Sequence, residues 1–188
     1  GSSLAYSLDG QWLAAGIEDR SGADDRTIHL WEVATGNLIR TQAAHRTITF
    51  GVAFSPDGRR LATCGGDRTV KVWDTTSGEV LQTLTGHSQA VRSVAWNSDG
   101  RQLASCSLDG HVFIWDTWDK TSGRLLADLT SRASGSLTGV TFSTDDRWVL
   151  SCGGPFRWTH TGPGAVEAWD LSKIQGELSQ LGLADEWR

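Results

Sequence analysis

Residues 54–74 read Phe54-Ser55-Pro56-Asp57-Gly58-Arg59-Arg60-Leu61-Ala62-Thr63-Cys64-Gly65-Gly66-Asp67-Arg68-Thr69-Val70-Lys71-Val72-Trp73-Asp74. This stretch decides the fold. Ser55-Pro56-Asp57-Gly58 carries Pro and Gly where type I or II turns want them. Residues 61–64 are a short strand, and residues 69–73 alternate polar and β-branched or aromatic side chains. Upstream, Thr49–Phe54 reads as a strand; downstream, Thr76-Ser77-Gly78 turns the chain into Val80–Leu84. The unit is therefore four short strands.

The unit recurs. Trp31-Glu32, Trp73-Asp74, Trp115-Asp116 and Trp169-Asp170 follow one another at 42, 42 and 54 residues. A turn marker precedes each: Tyr6-Ser7-Leu8-Asp9-Gly10, Phe54-Ser55-Pro56-Asp57-Gly58, Trp96-Asn97-Ser98-Asp99-Gly100 and Phe142-Ser143-Thr144-Asp145-Asp146. Loop insertions at 18–25, 118–121 and 154–164 account for the uneven spacing. Helical periodicity is absent until Leu171. A four-strand repeat of this length selects a β-propeller over a sandwich or barrel.

The markers Gly86-His87, Leu103-Ala104-Ser105, Asp67-Arg68-Thr69 and Trp73-Asp74, together with the turns, resemble the WD40 repeat. The resemblance covers the chain from about Leu4 to Asp170, in units of about 4–32, 33–74, 75–116 and 117–170. It implies an all-β WD40 propeller of four repeats of about 42 residues, a partial ring, followed by a helical tail over 171–188. The middle units fit best. Ala15 stands where the first unit should have Ser or Thr, Ala133 where the fourth should have His, and Glu32 replaces Asp.

Ser, His and Asp recur together and invite a hydrolase reading. The resemblance implies otherwise. It places His45, Thr63, Asp67 and Trp73 in one blade, and His87, Ser105, Asp109 and Trp115 in the next, as buried chains. In each, the indole N–H bonds the hydroxyl oxygen, the hydroxyl the imidazole, and the imidazole the carboxylate. A nucleophilic serine needs an exposed turn, and no GxSxG elbow is present. No catalytic residue is expected.

Composition agrees with a non-catalytic reading. The balance of 17 Lys and Arg against 22 Asp and Glu gives a net charge of −5, which argues against a nucleic-acid or anionic-membrane partner. No apolar run is long enough to span a bilayer. Cys64, Cys106 and Cys152 recur with the repeat, each after a hydroxylated residue, and read as buried small side chains on equivalent strands. No P-loop, GxGxxG or HExxH is present. His29, His111 and His160 lie in different units, so neither metal nor cofactor is expected; His29 and His111 should face outward. A cytoplasmic location is expected.

Trp96 shares the position of Phe54 and Phe142 and should be core, whereas Trp12 and Trp148 should pack at strand edges. Trp118, Trp158 and Trp187 fall outside the repeat and are candidate partner contacts or loop packing. The loop around Phe156-Arg157-Trp158-Thr159-His160 could be a binding tip or a self-packed surface loop. Apolar residues at Leu171, Ile174, Leu178 and Leu181 predict a short amphipathic helix weakened by Gly176.

The leading function is a scaffold binding a protein or peptide through loop faces. The alternatives are a regulatory or sensing domain of a larger bacterial signalling enzyme, such as a Ser/Thr protein kinase, or a propeller hydrolase. By resemblance, partner contacts lie on the face bearing the loops between a unit's last strand and the next unit's first, and between its second and third strands. The matching positions are Ile48, Phe50, Ala90 and Arg92, with Gly66 and Leu108 nearby. Phe50 and Arg92 are the strongest candidates, and Trp118 marks the opposite face. The fourth unit ends after its third strand. The chain is therefore expected to be the C-terminal portion of a larger propeller, prone to self-association through its open ends.

Overall fold

A computed structural model describes residues 3–16, 26–118, 123–132, 135–154 and 165–180. The insertions at 18–25 and 154–164, apart from Gly154, lie outside the described residues, as do Ala133, Trp158, His160 and Trp187.

Four antiparallel sheets follow in chain order. The first blade holds β1 (Ser3–Tyr6), β2 (Trp12–Gly16), β3 (Thr27–Glu32) and β4 (Leu38–Ala43). The second holds β5 (Thr49–Phe54), β6 (Arg60–Gly65), β7 (Val70–Asp74) and β8 (Val80–Leu84). The third holds β9 (Val91–Trp96), β10 (Gln102–Ser107), β11 (His111–Asp116) and β12 (Arg124–Thr130). The fourth has three strands, β13 (Ser136–Phe142), β14 (Trp148–Gly154) and β15 (Ala165–Asp170), before helix α1 (Leu171–Gln180). Within each blade the strands pair in sequence order. The first strands stand side by side, β1 against β5, β5 against β9, and β9 against β13. This is an arc of propeller blades.

The turn sequences explain the tight first hairpins. In the second blade Ser55 Oγ donates to Asp57 Oδ1 at 2.6 Å, and Asp57 Oδ1 accepts the Arg59 N–H at 3.1 Å. Gly58 then takes φ 68°, a left-handed conformation that costs glycine little. Asp146 stands in the matching turn of the fourth blade at φ 55°. It uses its carboxylate across the blade boundary, accepting the Ser98 N–H at 2.9 Å.

The core is divided among three blade–blade interfaces. Between the second and third blades, Ala62, Cys64, Val70 and Val72 pack against Val91, Val94, Leu103, Phe113 and Trp115. Equivalent positions serve the other two joints, with Ile28 and Leu30 facing Val52, Leu61 and Trp73. At the third joint Val112 and Ile114 face Leu137, Val140 and Val149, and α1 adds Leu171 and Ile174. Each blade thus offers one apolar face backward, including its tryptophan, and another forward. Polar ties reinforce the joints. Arg60 donates to Gly100 O at 2.6 Å and Thr117 O at 3.1 Å, and Arg40 to Thr75 O at 3.1 Å and Thr76 O at 2.8 Å.

Among the described residues the end faces have no such cover. Val70 and Val112 are fully buried, but Val166 at the same place in β15 is 73% exposed. The cysteines require a correction for the same reason. Cys64 and Cys106 are fully buried, whereas Cys152 is exposed, because the described chain places no blade in front of β14. At the other end Leu4 and Tyr6 of β1 are exposed and Trp31 is only half-buried.

Candidate functional site

The hydroxyl–histidine–carboxylate sets form continuous chains inside the second and third blades. Trp73 Nε1–H donates to Thr63 Oγ1 at 2.9 Å, and Thr63 Oγ1 lies 2.9 Å from His45 Nε2. His45 Nδ1 lies 2.9 Å from Asp67 Oδ1. In the third blade Trp115 Nε1–H donates to Ser105 Oγ at 2.8 Å, with Ser105 Oγ 2.8 Å from His87 Nε2 and His87 Nδ1 3.0 Å from Asp109 Oδ2. Ionised carboxylates only accept, so the proton sits on Nδ1 of each histidine and the hydroxyl donates to Nε2. Every polar group in the chain is then paired.

The electrostatics fit a neutral His87 beside ionised Asp109. Burial pushes the His87 pKa down, and nearby Asp109 offsets only part of that effect. Burial disfavours the charged form of Asp109, but the His111 and Ser88 backbone N–H groups and His87 outweigh it and hold the carboxyl below its usual range. Asp67 behaves alike, its burial outweighed by His45, Arg46 N–H and Thr69. Thr63 and Ser105 have no exposed surface and two hydrogen bonds each. Such an oxygen can support a fold, but its burial keeps it out of reach of a substrate.

The end blades lack the chain. Ala15 brings no hydroxyl, and His29 instead bonds Thr27 and Thr41 and stacks on Trp31 at 5.5 Å, half-buried. His111 is also half-buried, its Nδ1 2.6 Å from Asp128 Oδ1. In the fourth blade Ser151 Oγ is buried without a hydrogen-bond partner among the described residues.

Beside the intact chains lies the loop face. Arg92 on β9 places its guanidinium 4.0 Å over the Phe50 ring on β5, a cation–π contact that bridges two blades. Both are half-buried, as are Ile48, Ala90 and Leu108. Gly66 lies against Phe50 and Thr47; a Cβ there would stand 3.4 Å from Phe50 Cε2 and 2.8 Å from Thr47 Oγ1. Backbone bonds from Gly66 N to Ile48 O and from Leu108 N to Ala90 O fix these loops in pairs. Arg46 and Arg68 stand on the same face, both exposed. Sequence reasoning passed over them, although each directly follows a residue of the buried chain, and that adjacency was the available signal.

On the opposite face Trp118 is 63% exposed beneath Arg101, whose guanidinium lies 4.6 Å from the ring. It borders an open groove of about 280 Å³ lined by Asp57, Arg59, Arg60, Asp74 and Leu81. Trp96 is partly buried, with Arg60 over its ring at 4.7 Å and Nε1–H donating to Ala53 O at 3.1 Å. Trp12 packs partly buried against the first joint, and Arg147 covers Trp148 at 5.3 Å. Among the described residues no cluster of His, Cys, Asp and Glu could hold a metal ion. None of their helices is long and apolar enough to cross a membrane.

The sequence profile of the WD domain, G-beta repeat, matches residues 2–32, 36–74 and 78–116, more than half of the chain. The uncharacterized WD repeat-containing protein sll1491 of Synechocystis sp. (strain ATCC 27184 / PCC 6803 / Kazusa) is 40% identical over 62 residues. The match spans 33% of this chain and only 16% of that relative. Blade topology, repeat markers and profile agree: the chain belongs to the WD40-repeat family.

Proposed function

We propose that the chain is a non-catalytic scaffold that captures a protein partner on the loop face around Phe50 and Arg92. The family is typically a protein-interaction scaffold, and the Phe50–Arg92 stack is the observation that carries the reading for this chain. An aromatic and an arginine held together at a blade junction form a preorganised anchor of the kind that dominates interfaces. Ile48, Ala90 and Leu108 supply the surrounding apolar rim. Trp118 on the other face is the second anchor to compare. The test is site-specific photo-crosslinking with the probe at Ala90 or at Trp118. Cross-links that mark the partner from Ala90 support the loop face, and cross-links from Trp118 alone overturn it.

The uncovered end blades favour a second mode of contact, self-association. Val166 and Leu4, exposed at opposite ends, occupy faces that are apolar and covered at the internal joints. A cytoplasmic setting is part of the same proposal.

A further inference from the structure

We infer that the loop face recognises an acidic peptide segment, through Arg46, Arg68 and Arg92, which share this face with Phe50. The inference rests on the reading of this face as the partner-binding one and adds the chemistry of the partner.

Three segments converge here. Arg46 follows His45, and its backbone N–H donates to Asp67 Oδ2 at 2.9 Å, which sets Arg46 beside the β6–β7 hairpin. Arg68 occupies the tip of that hairpin at φ 69°, a left-handed conformation uncommon for a residue with a side chain. Gly66 of the same hairpin lies against Phe50, and Arg92 lies over Phe50. None of the three guanidinium groups makes an ion pair among the described residues.

The neighbouring carboxylates among the described residues do not answer them. Asp67 already accepts from Arg46 N, Thr69 N and Thr69 Oγ1 and bonds His45. Asp109 accepts from Ser88 N and His111 N and bonds His87. On the opposite face the carboxylates are the exposed groups. Arg40 and Arg60 are tied to backbone carbonyls and Arg147 to Asp170 at 3.0 Å, while Asp9, Asp57, Asp99 and Asp145 are exposed in the four turns. Exposed carboxylate thus rings the turn face, while Asp67 and Asp109, beside the loop-face arginines, are already engaged in the buried chains.

This division selects the partner. Arginine forks match carboxylates in two-pronged hydrogen bonds, and complementary charge steers and orients the encounter. The guanidinium groups stand on three separate segments, which suits side chains distributed along a peptide. A nucleic acid fits less well: the aromatic face of Phe50 is already covered by Arg92, so no base can stack on it. The ring of exposed aspartates would repel a longer polyanion.

The test uses the full chain and fluorescent synthetic peptides that share one aromatic residue and differ only in charge: acidic, neutral and basic. A phosphoserine peptide and a single-stranded oligonucleotide complete the set. The acidic peptide is expected to bind, to weaken steeply with added salt, and to lose about tenfold in affinity or more in Arg92→Ala and in Arg46→Glu/Arg68→Glu. Two results overturn the inference while leaving the loop face as the docking surface. One is a neutral peptide binding as well as the acidic one while remaining sensitive to Phe50→Ala. The other is tighter binding of the phosphoserine peptide or the oligonucleotide, lost in the same arginine variants. Peptide binding untouched by Phe50→Ala and by all the arginine changes overturns both the inference and the reading beneath it. Circular dichroism melts of each variant separate lost binding from lost fold.

Discussion

Ser105 and Ser151 hold the same place in β10 and β14, two residues beyond the partner of each strand's tryptophan, yet the Ser105 hydroxyl has two hydrogen bonds and the Ser151 hydroxyl none among the described residues. The difference lies in what surrounds them. Ser105→Ala should cost about 1–3 kcal/mol, because the Trp115 indole and His87 are left without their shared partner. Ser151→Ala should be neutral or stabilising, since it removes a buried group that is already unpaired. Denaturant titration of the two variants checks the contrast, and equal losses would contradict it.

Tryptophans at equivalent positions should differ in the same sense. Trp115 is 2% exposed and wedged into a joint, so Trp115→Ala should cost about 3–5 kcal/mol. Trp31 faces outward from the first blade and is only half-buried. Its replacement by Ala should cost markedly less in the same titration.

Acidification should weaken the fold in two stages. The pKa of His87 is lowered from 6.5 by burial, so the unfolded chain takes up the proton first, and stability falls as pH drops below 6.5. Asp67 and Asp109 are held below 3.8, so their contribution is present above that value and disappears as pH falls beneath it. Melting temperature followed across this range should show both losses. Asp109→Asn should flatten the lower one. A flat profile down to pH 4 would refute the assignment of a neutral, buried His87.

Gly51 has no room for a side chain. A Cβ there would stand 2.7 Å from the buried Cys64 Sγ and 3.3 Å from Ser93 Cα of the next blade. Gly51→Ala should therefore lose about 1–3 kcal/mol by overpacking the second joint, read as a shift in the denaturation midpoint. Ser93, one blade on, occupies the same position opposite Cys106, its Oγ accepting the Val140 N–H at 3.4 Å.

Charge placed on an end face should separate association from folding. Val166→Asp lies on the uncovered side of the fourth blade, so it should reduce self-association in light scattering while leaving the melting temperature nearly unchanged. Val112→Asp, at the matching buried position, should unfold the third blade.

The blades were legible in the sequence because each is a local object. Turn residues such as Ser55, Asp57 and Gly58 and the alternation in Val70, Lys71 and Val72 act within a few residues, and the repeated Trp-Asp pairs keep their register. The exposure of Cys152 was not legible, because its burial depends on the next blade and not on its own strand. The same holds for the Phe50–Arg92 stack: the two side chains lie 42 positions apart and meet only once β5 and β9 stand side by side. Both were named singly as candidates, but nothing in local pattern pairs them.

Each joint between blades is made from a forward face of one unit and a backward face of the next, and a single unit carries both halves. The forward half is Ala62, Cys64, Val70 and Val72 in the second blade, and its own backward half is Val52, Leu61 and Trp73. A unit copied in tandem therefore arrives with its own adhesive on one side and its own socket on the other. Lengthening such an arc by gene duplication requires no new complementary surface to evolve. Selection is left free to alter what the loops carry.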